Sequence, residues 1–366
     1  MTGPFEGAAR LRTTSGAVTV LGAGALLAVA ACSGGGSPSG TAPAATATHS
    51  PVALSSGPAS ALQQQYQDVI STVLPSVVQI NTETGTGSGV VYDNNGDIVT
   101  NAHVVGDATT VQVFPATGGE VLKAKVLGTF AADDLAVIRV TSGTGSLPKA
   151  TFGNSTNISA GEIVLAMGNP LGLTGSVTQG IISATGRTVS EASAAGGGSV
   201  TIADALQTSA AINGGNSGGA LVNLAGQVIG IPTAAARDPE AGPAPGIGFA
   251  IPSNVAINIA DQLISKGKVT ESSRAALGIT AHTTVTPDGQ PAGVAVSTVT
   301  AGSAAAAAGL QPGDVITKVA GHETPTQGVL TAVLANLKPG QQVEVTYTRG
   351  GTSHTTKVTL GHLTSG

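Results

Sequence analysis

Tryptophan is absent from this 366-residue chain, and aromatic residues together make up only 2% of it. Charge is also scarce. Only 10% of residues are charged, and the net charge of −5 comes from 15 Lys and Arg against 20 Asp and Glu. That balance argues against a nucleic-acid partner, because binding to phosphate backbones rests on clustered Lys and Arg. No run reaches the roughly 20 apolar residues that a spanning helix needs, which excludes a polytopic membrane protein. A single cysteine, Cys32, leaves no intrachain disulfide to form. Neither a CxxC nor an HExxH pattern occurs, and the histidines outside position 103 lie in no ligand-like spacing, so no metal or cofactor is expected. What remains is a chain rich in glycine (53) and proline (19) whose apolar share is 41%. That share carries too many branched aliphatics for wholesale disorder, and the glycines follow no collagen period. The length fits about two domains.

The first 60 residues divide in two. Arg10 and Arg12 precede an uncharged stretch, most apolar at Leu26-Leu27-Ala28-Val29, and small residues lead directly to Cys32. This pattern reads as an export signal. Val29-Ala30-Ala31-Cys32 resembles the bacterial lipobox, in which the cysteine thiol is acylated and becomes the mature N-terminus. Residues 1–31 would then be a lipoprotein-type signal peptide and Cys32 the lipidation site. The alternative is an ordinary cleaved signal ending in Ala-x-Ala. From 32 to 61 the composition is Ser, Thr, Pro, Gly and Ala without a charge, too poor in large apolar side chains to repay ordering. That segment reads as a tether.

The folded part is expected from residue 62. Leu62, Tyr66, Val69, Ile70 and Val73 fall at helical spacing, and Pro75 stops that segment. Short β-rich runs follow at 76–82, 88–92, 98–101, 109–114, 135–140, 162–167, 221–223 and 227–231, divided by turn signals. Many short strands at this spacing point to an all-β barrel or sandwich. Pro252-Ser253 opens an amphipathic helix carrying Val255, Ile259 and Leu263, with Gly267 as its terminator. This helix marks the boundary between a unit at 62–268 and a smaller one at 273–363, the latter with strands around two short helices.

Gly215-Asn216-Ser217-Gly218-Gly219 is the sharpest motif. A serine hydroxyl needs a neighbouring base and donors for an oxyanion before it can act as a nucleophile, and glycines allow backbone amides to converge on one point. In so glycine-rich a chain the motif alone is equally a flexible turn. Two further elements change the balance. Thr100-Asn101-Ala102-His103-Val104-Val105 sets a histidine just past a β-rich run, and Asp134-Leu135-Ala136-Val137-Ile138 sets a carboxylate at the mouth of an apolar strand. The chain order His103, Asp134, Ser217 belongs to one of the three unrelated catalytic-triad orders, the one carried on β-barrels. Asp133 is the alternative carboxylate.

These blocks, with Gly246-Ile247-Gly248-Phe249-Ala250-Ile251-Pro252, resemble the signature segments of the HtrA (Deg) serine proteases, and the resemblance runs from about Gln63 to the C-terminus. It implies a mainly β protein, a chymotrypsin-like double antiparallel β-barrel followed by a small α+β PDZ domain. It implies further that Ser217 is the nucleophile, His103 the base and Asp134 its orienting carboxylate, with the amides of Gly215 and Ser217 as oxyanion donors. Ala211 would form the base of the pocket for the residue before the cut, with Ile212 and Ile247 as walls, favouring small aliphatic residues. Within the family, exported single-PDZ forms of Ala/Gly-rich composition are typical of high-GC Gram-positive bacteria. The sequence departs from the family pattern at Ser209, where Asp is frequent, at Gly214, where Pro is frequent, and at Pro232, where Asn is usual.

Ala276-Leu277-Gly278-Ile279 resembles the carboxylate-binding loop of PDZ domains, and Gly309-Leu310-Gln311-Pro312-Gly313-Asp314 matches the bacterial PDZ pattern. Leu277, Gly278 and Ile279 would hold peptide C-termini through their amides. The resulting expectation is an exported endopeptidase acting on unfolded or misfolded polypeptides. It would be lipid-anchored to the outer face of the cell membrane, or secreted, and would form a homotrimer as the family commonly does. The competing readings are a non-catalytic chaperone or peptide-binding adaptor, and a signalling protease with one dedicated substrate.

Overall fold

The computed structural model describes residues 57–83, 85–143, 147–169, 175–192, 199–238 and 242–365. The expected signal segment 1–31, Cys32 and nearly all of the tether lie outside the described residues. Helix α1 (Pro58–Val73) opens the described part. It begins ahead of the expected start at Leu62, because Pro58 is pre-set for the first helical position. Ser60 Oγ also closes the end, accepting from Gly57 N–H at 3.0 Å and donating to Gly57 O at 2.7 Å.

Two closed six-stranded antiparallel barrels follow. The first consists of β1 (Val77–Asn81), β2 (Thr86–Val91), β3 (Asp97–Thr100), β4 (Thr110–Pro115), β5 (Leu122–Phe130) and β6 (Leu135–Val140), in the order β1-β2-β3-β6-β5-β4. The second repeats that order with β7 (Ile163–Gly168), β8 (Ser176–Ala192), β9 (Ser199–Thr208), β10 (Ala220–Asn223), β11 (Val228–Asp238) and β12 (Gly242–Pro252). Strands such as β6 and β7 are apolar on both faces because both faces are covered, whereas β4 and β5 alternate buried and exposed residues. On β6, Ala136, Ile138 and Val140 fill the interior of the first barrel. Leu135 and Val137 point the other way, into a cluster shared with Leu165, Met167 and Ile231 of the second barrel. Alternation with period two therefore serves two cores at once. With so few aromatics, both are built largely from Val, Ile, Leu and Ala, and the β-branched members suit the pleated surface.

Helix α3 (Ser253–Lys266) packs Ile259 and Leu263 onto the shared cluster and ends at Gly267, whose φ of 67° is the left-handed terminator expected there. The C-terminal unit has its own core, including Val294, Val296, Leu310, Ile316, Leu330 and Val345. Its short outer pair is β13 (Ala275–Ala276) with β20 (Gly361–His362). The main sheet runs β14 (Ile279–Val285), β15 (Pro291–Val299), β16 (Val315–Val319), β18 (Gln342–Arg349), β19 (Thr352–Thr359), with β17 (His322–Glu323) on β16. Helices α4 (Ala304–Ala307) and α5 (Gln327–Ala335) are the two expected between the strands. The double barrel followed by a PDZ unit agrees with the expected fold class.

Candidate active site

The register of the first barrel brings the histidine and the carboxylate together. Thr100, the last residue of β3, pairs with Ala136 near the start of β6, so the residues just beyond these ends are neighbours. His103 lies in the one-turn helix α2 (Ala102–Val105) and Asp134 in the turn before β6. His103 Nδ1–H donates to Asp134 Oδ2 at 2.7 Å, and the His103 backbone N–H donates to Oδ1 at 2.9 Å. Both carboxylate oxygens are thus engaged by the same residue, which fixes imidazole tautomer and orientation. The His103 side chain is half exposed and that of Asp134 buried.

Asp134 stands in left-handed backbone, φ 51°, a conformation that typically costs a non-glycine residue about 1–2 kcal/mol. Its surroundings hold it there. Ala102 N–H and Asn101 Nδ2 both donate to the Asp134 carbonyl, at 3.1 and 2.9 Å. From the second barrel, Thr233 Oγ1 donates to Asp134 Oδ2 at 2.5 Å. Sequence reasoning passed over Asn101 and Thr233. Thr233 adjoins Pro232, and nothing in its local sequence separates it from an ordinary strand threonine.

The Ser217 loop is fastened from three sides. Ser88 N–H on β2 donates to Ser217 O (2.9 Å), Ser88 Oγ donates to Gly215 O (2.7 Å), and Gly218 N–H donates to Pro232 O (2.8 Å). Gly218 has φ 80°, and a Cβ there would lie 2.3 Å from Ser88 O, so only glycine fits. Ser88, counted from sequence merely as part of a strand, is the pin between the barrels at this point. The buried Ser217 hydroxyl lies within reach of the carbonyls of Asn213 (3.3 Å) and Thr233 (3.4 Å). Of the two expected oxyanion donors, the Gly215 amide donates to Asn213 Oδ1 at 3.0 Å. Asn213 is a further residue that sequence reasoning did not single out. Its side-chain oxygen occupies one donor that an oxyanion would need. At Gly214 no atom lies within 4 Å of where a Cβ would sit.

Around this loop, the Ala211 carbonyl accepts from Thr178 Oγ1 and Asn216 Nδ2, both at 2.9 Å. Ile212 packs into the core of the second barrel and against Gly248, whereas Ile247 is 38% exposed. Asp133, the alternative carboxylate, is buried and pairs with Arg274 at 3.4 Å, while Asp134 is the carboxylate bonded to His103. Burial pushes its carboxyl up to about 6, against the pull of that guanidinium. In the C-terminal unit, Gly278 has φ 74°, with Leu277 O and Gly278 O accepting from Ala305 N–H (2.8 Å) and Thr300 N–H (3.0 Å).

A double β-barrel with a histidine–carboxylate pair on one barrel and a glycine-framed serine on the other, followed by a PDZ unit, has the form of a serine peptidase of the trypsin class. Residues 87–231 match the trypsin-like peptidase domain family, and residues 268–360 match the PDZ domain family. The chain is similar to the serine protease PepD of Mycobacterium tuberculosis, at 40% identity over 88% of this chain and 71% of that one. It is also similar to the Do-like serine protease HtrA of Lactococcus lactis subsp. cremoris, at 40% identity over 79% and 73%. Among solved structures, the HtrA-type protease AlgW with a decapeptide aligns with TM-score 0.53 and 31% identity, over 81% of this chain and 98% of that one. The chain belongs to the HtrA serine proteases, and is a serine endopeptidase.

Proposed function

We propose that the chain is an exported HtrA protease of actinobacterial type, which hydrolyses peptide bonds of unfolded or damaged polypeptides through Ser217, His103 and Asp134. The observation that carries the reading is the two-point clamp of Asp134 on His103, with Thr233 joining that carboxylate to the Ser217 hydroxyl. Ser217 Oγ attacks the peptide carbonyl while His103 Nε2 takes its proton. Asp134 stabilises the imidazolium without becoming protonated, and His103 returns the proton to the departing amine. Water then releases the acyl group by the same steps in reverse roles. The amides of Gly215 and Ser217 face the developing oxyanion, where one donor is commonly worth about 3–4 kcal/mol. A substrate must first displace Asn213 Oδ1 from the Gly215 amide. Ala211 and Ile247 offer an uncharged, partly apolar surface, which favours small aliphatic residues before the cut, with Ile212 behind them.

The PDZ domain captures C-termini or extended segments of polypeptides at Leu277, Gly278 and Ile279; the similar HtrA-type protease AlgW was itself solved with a decapeptide. Cys32, by its lipobox-like context, anchors the chain to the outer face of the membrane, and the protein assembles as a homotrimer. Casein digestion tests the central reading. Ser217→Ala should abolish it, since loss of a triad nucleophile typically costs on the order of 10⁶ in rate. Cleavage persisting above a few per cent of wild type in pure protein would refute the mechanism.

A further inference from the structure

Behind the catalytic carboxylate lies a contact that the triad itself does not use. The Arg274 backbone belongs to the C-terminal unit. Its carbonyl accepts from Leu363 N–H at 2.8 Å, Ser272 Oγ donates to Leu363 O at 2.6 Å, and His362 Nδ1–H donates to Ser272 O at 2.7 Å. The Arg274 side chain leaves that unit and is buried in the protease. There its Nη1 donates to the Ala132 carbonyl and meets Asp133 Oδ1 at 3.4 Å. Ala131–Asp133 is the single 3-10 turn whose next residue is Asp134.

We infer that Arg274 is a positioning residue for the catalytic carboxylate, joining the bend that leads into β13 of the PDZ unit to the turn that sets Asp134. Asp134 needs holding on both sides, because its left-handed backbone is unfavourable when unsupported. On the downstream side Asn101 and Ala102 hold its carbonyl; on the upstream side the guanidinium holds the two preceding residues. The pair is also a poor candidate for stability alone. Among the described residues, Asp133 Oδ2 and Arg274 Nε are buried without hydrogen-bond partners, a costly arrangement for a buried ion pair. Beside the contact, a cavity of about 510 Å³ lined by Asp133, Thr188, Asp204, Asn336 and His362 leaves space for the turn to shift. The expected peptide loop begins at Leu277, directly after β13, so only Ala275 and Ala276 separate it from Arg274.

The inference rests on the triad reading, and the test separates the two. Full-length wild type, Arg274→Met, Arg274→Lys, Asp133→Asn/Arg274→Met and Ser217→Ala are compared on a short chromogenic peptide, with thermal unfolding as the check on folding. Arg274→Met should lower kcat about 10- to 100-fold, as small misplacements of catalytic groups do, with KM within about twofold. Arg274→Lys, which keeps a donor near Ala132 O, should recover part of the loss. Wild-type kcat in folded Arg274→Met overturns the inference. So does full activity of the double variant, because Arg274 would then serve only to neutralise Asp133. Should Arg274→Met fail to fold, the double variant carries the test, its low kcat at unchanged KM supporting the role. Activity in Ser217→Ala would instead remove the triad reading beneath it.

Discussion

At the scale of single residues, the site depends on side chains and glycines that hold the three groups proposed to react. Thr233 donates from the second barrel to the same carboxylate oxygen that faces His103, so it ties Asp134 across the inter-barrel seam. A hydrogen bond to a charged group is typically worth about 1.5–3 kcal/mol. Thr233→Val should therefore lower kcat about tenfold or more with KM little changed, measured on a short peptide; unchanged kcat would mean that the remaining contacts of Asp134 suffice to place it. The glycines of the serine loop differ sharply from one another. At Gly218 an added Cβ collides with Ser88 O and the φ is positive, so Gly218→Ala should disrupt the loop and eliminate cleavage. At Gly214 there is open space and no positive φ, so Gly214→Ala should stabilise the fold by about 0.4–1 kcal/mol by restricting the unfolded chain. Casein cleavage by Gly218→Ala and urea unfolding of Gly214→Ala check the two expectations.

At the scale of elements, β14 lies at one edge of its sheet, with α5 beside it. The start of α5 is fastened to that strand by Gln327 N–H donating to Thr283 Oγ1 at 2.9 Å. The proposed peptide would add as a strand to the β14 edge, with its terminus at the turn of Gly278. A Cβ at Gly278 would come within 2.3 Å of Ser303 Cβ, and its φ is 74°. Gly278→Ala should weaken binding of a labelled peptide with an apolar C-terminus more than tenfold, about 1.4 kcal/mol, in fluorescence anisotropy. Unaltered affinity would place the peptide elsewhere. Elements of this kind differ in how readable they were. The short strands β3, β6 and β7 announced themselves as apolar runs between turn signals, and Gly267 marked the end of α3. The long strands β8 and β9 did not. Their pairing shifts register between Ile182 and Ala184, again before Arg187, and again before Val189, so no single alternation runs through them. Likewise His103, Asp134 and Ser217 each stood in a local pattern, whereas Ser88, Asn101, Asn213 and Thr233 act through contacts that only folding creates.

At the scale of the whole molecule, the first barrel contributes His103 and Asp134, the second contributes Ser217 and Thr233, and the C-terminal unit reaches behind them with Arg274. The buried Asp133 carboxyl at that junction makes stability depend on pH. Its ordinary value of 3.8 is pushed up to about 6 by burial, with Arg274 opposing the shift. The other ionisable groups around the adjacent cavity are Asp204, Lys338 and His362. Because the folded value lies above the unfolded one, the folded protein retains a proton on Asp133 between about pH 4 and 6 that the unfolded chain releases. Stability from this group is therefore complete below the unfolded value and is lost as pH rises through the folded one. Asp133→Asn keeps the position neutral at every pH. Its stability relative to wild type should accordingly improve as pH rises from 4 to 7, whatever constant offset the exchange of a neutral carboxyl for an amide introduces. Urea unfolding of both proteins at intervals across that range measures the difference directly. A difference that stayed flat or moved the opposite way would show that Asp133 is already ionised at pH 4, with Arg274 outweighing the burial.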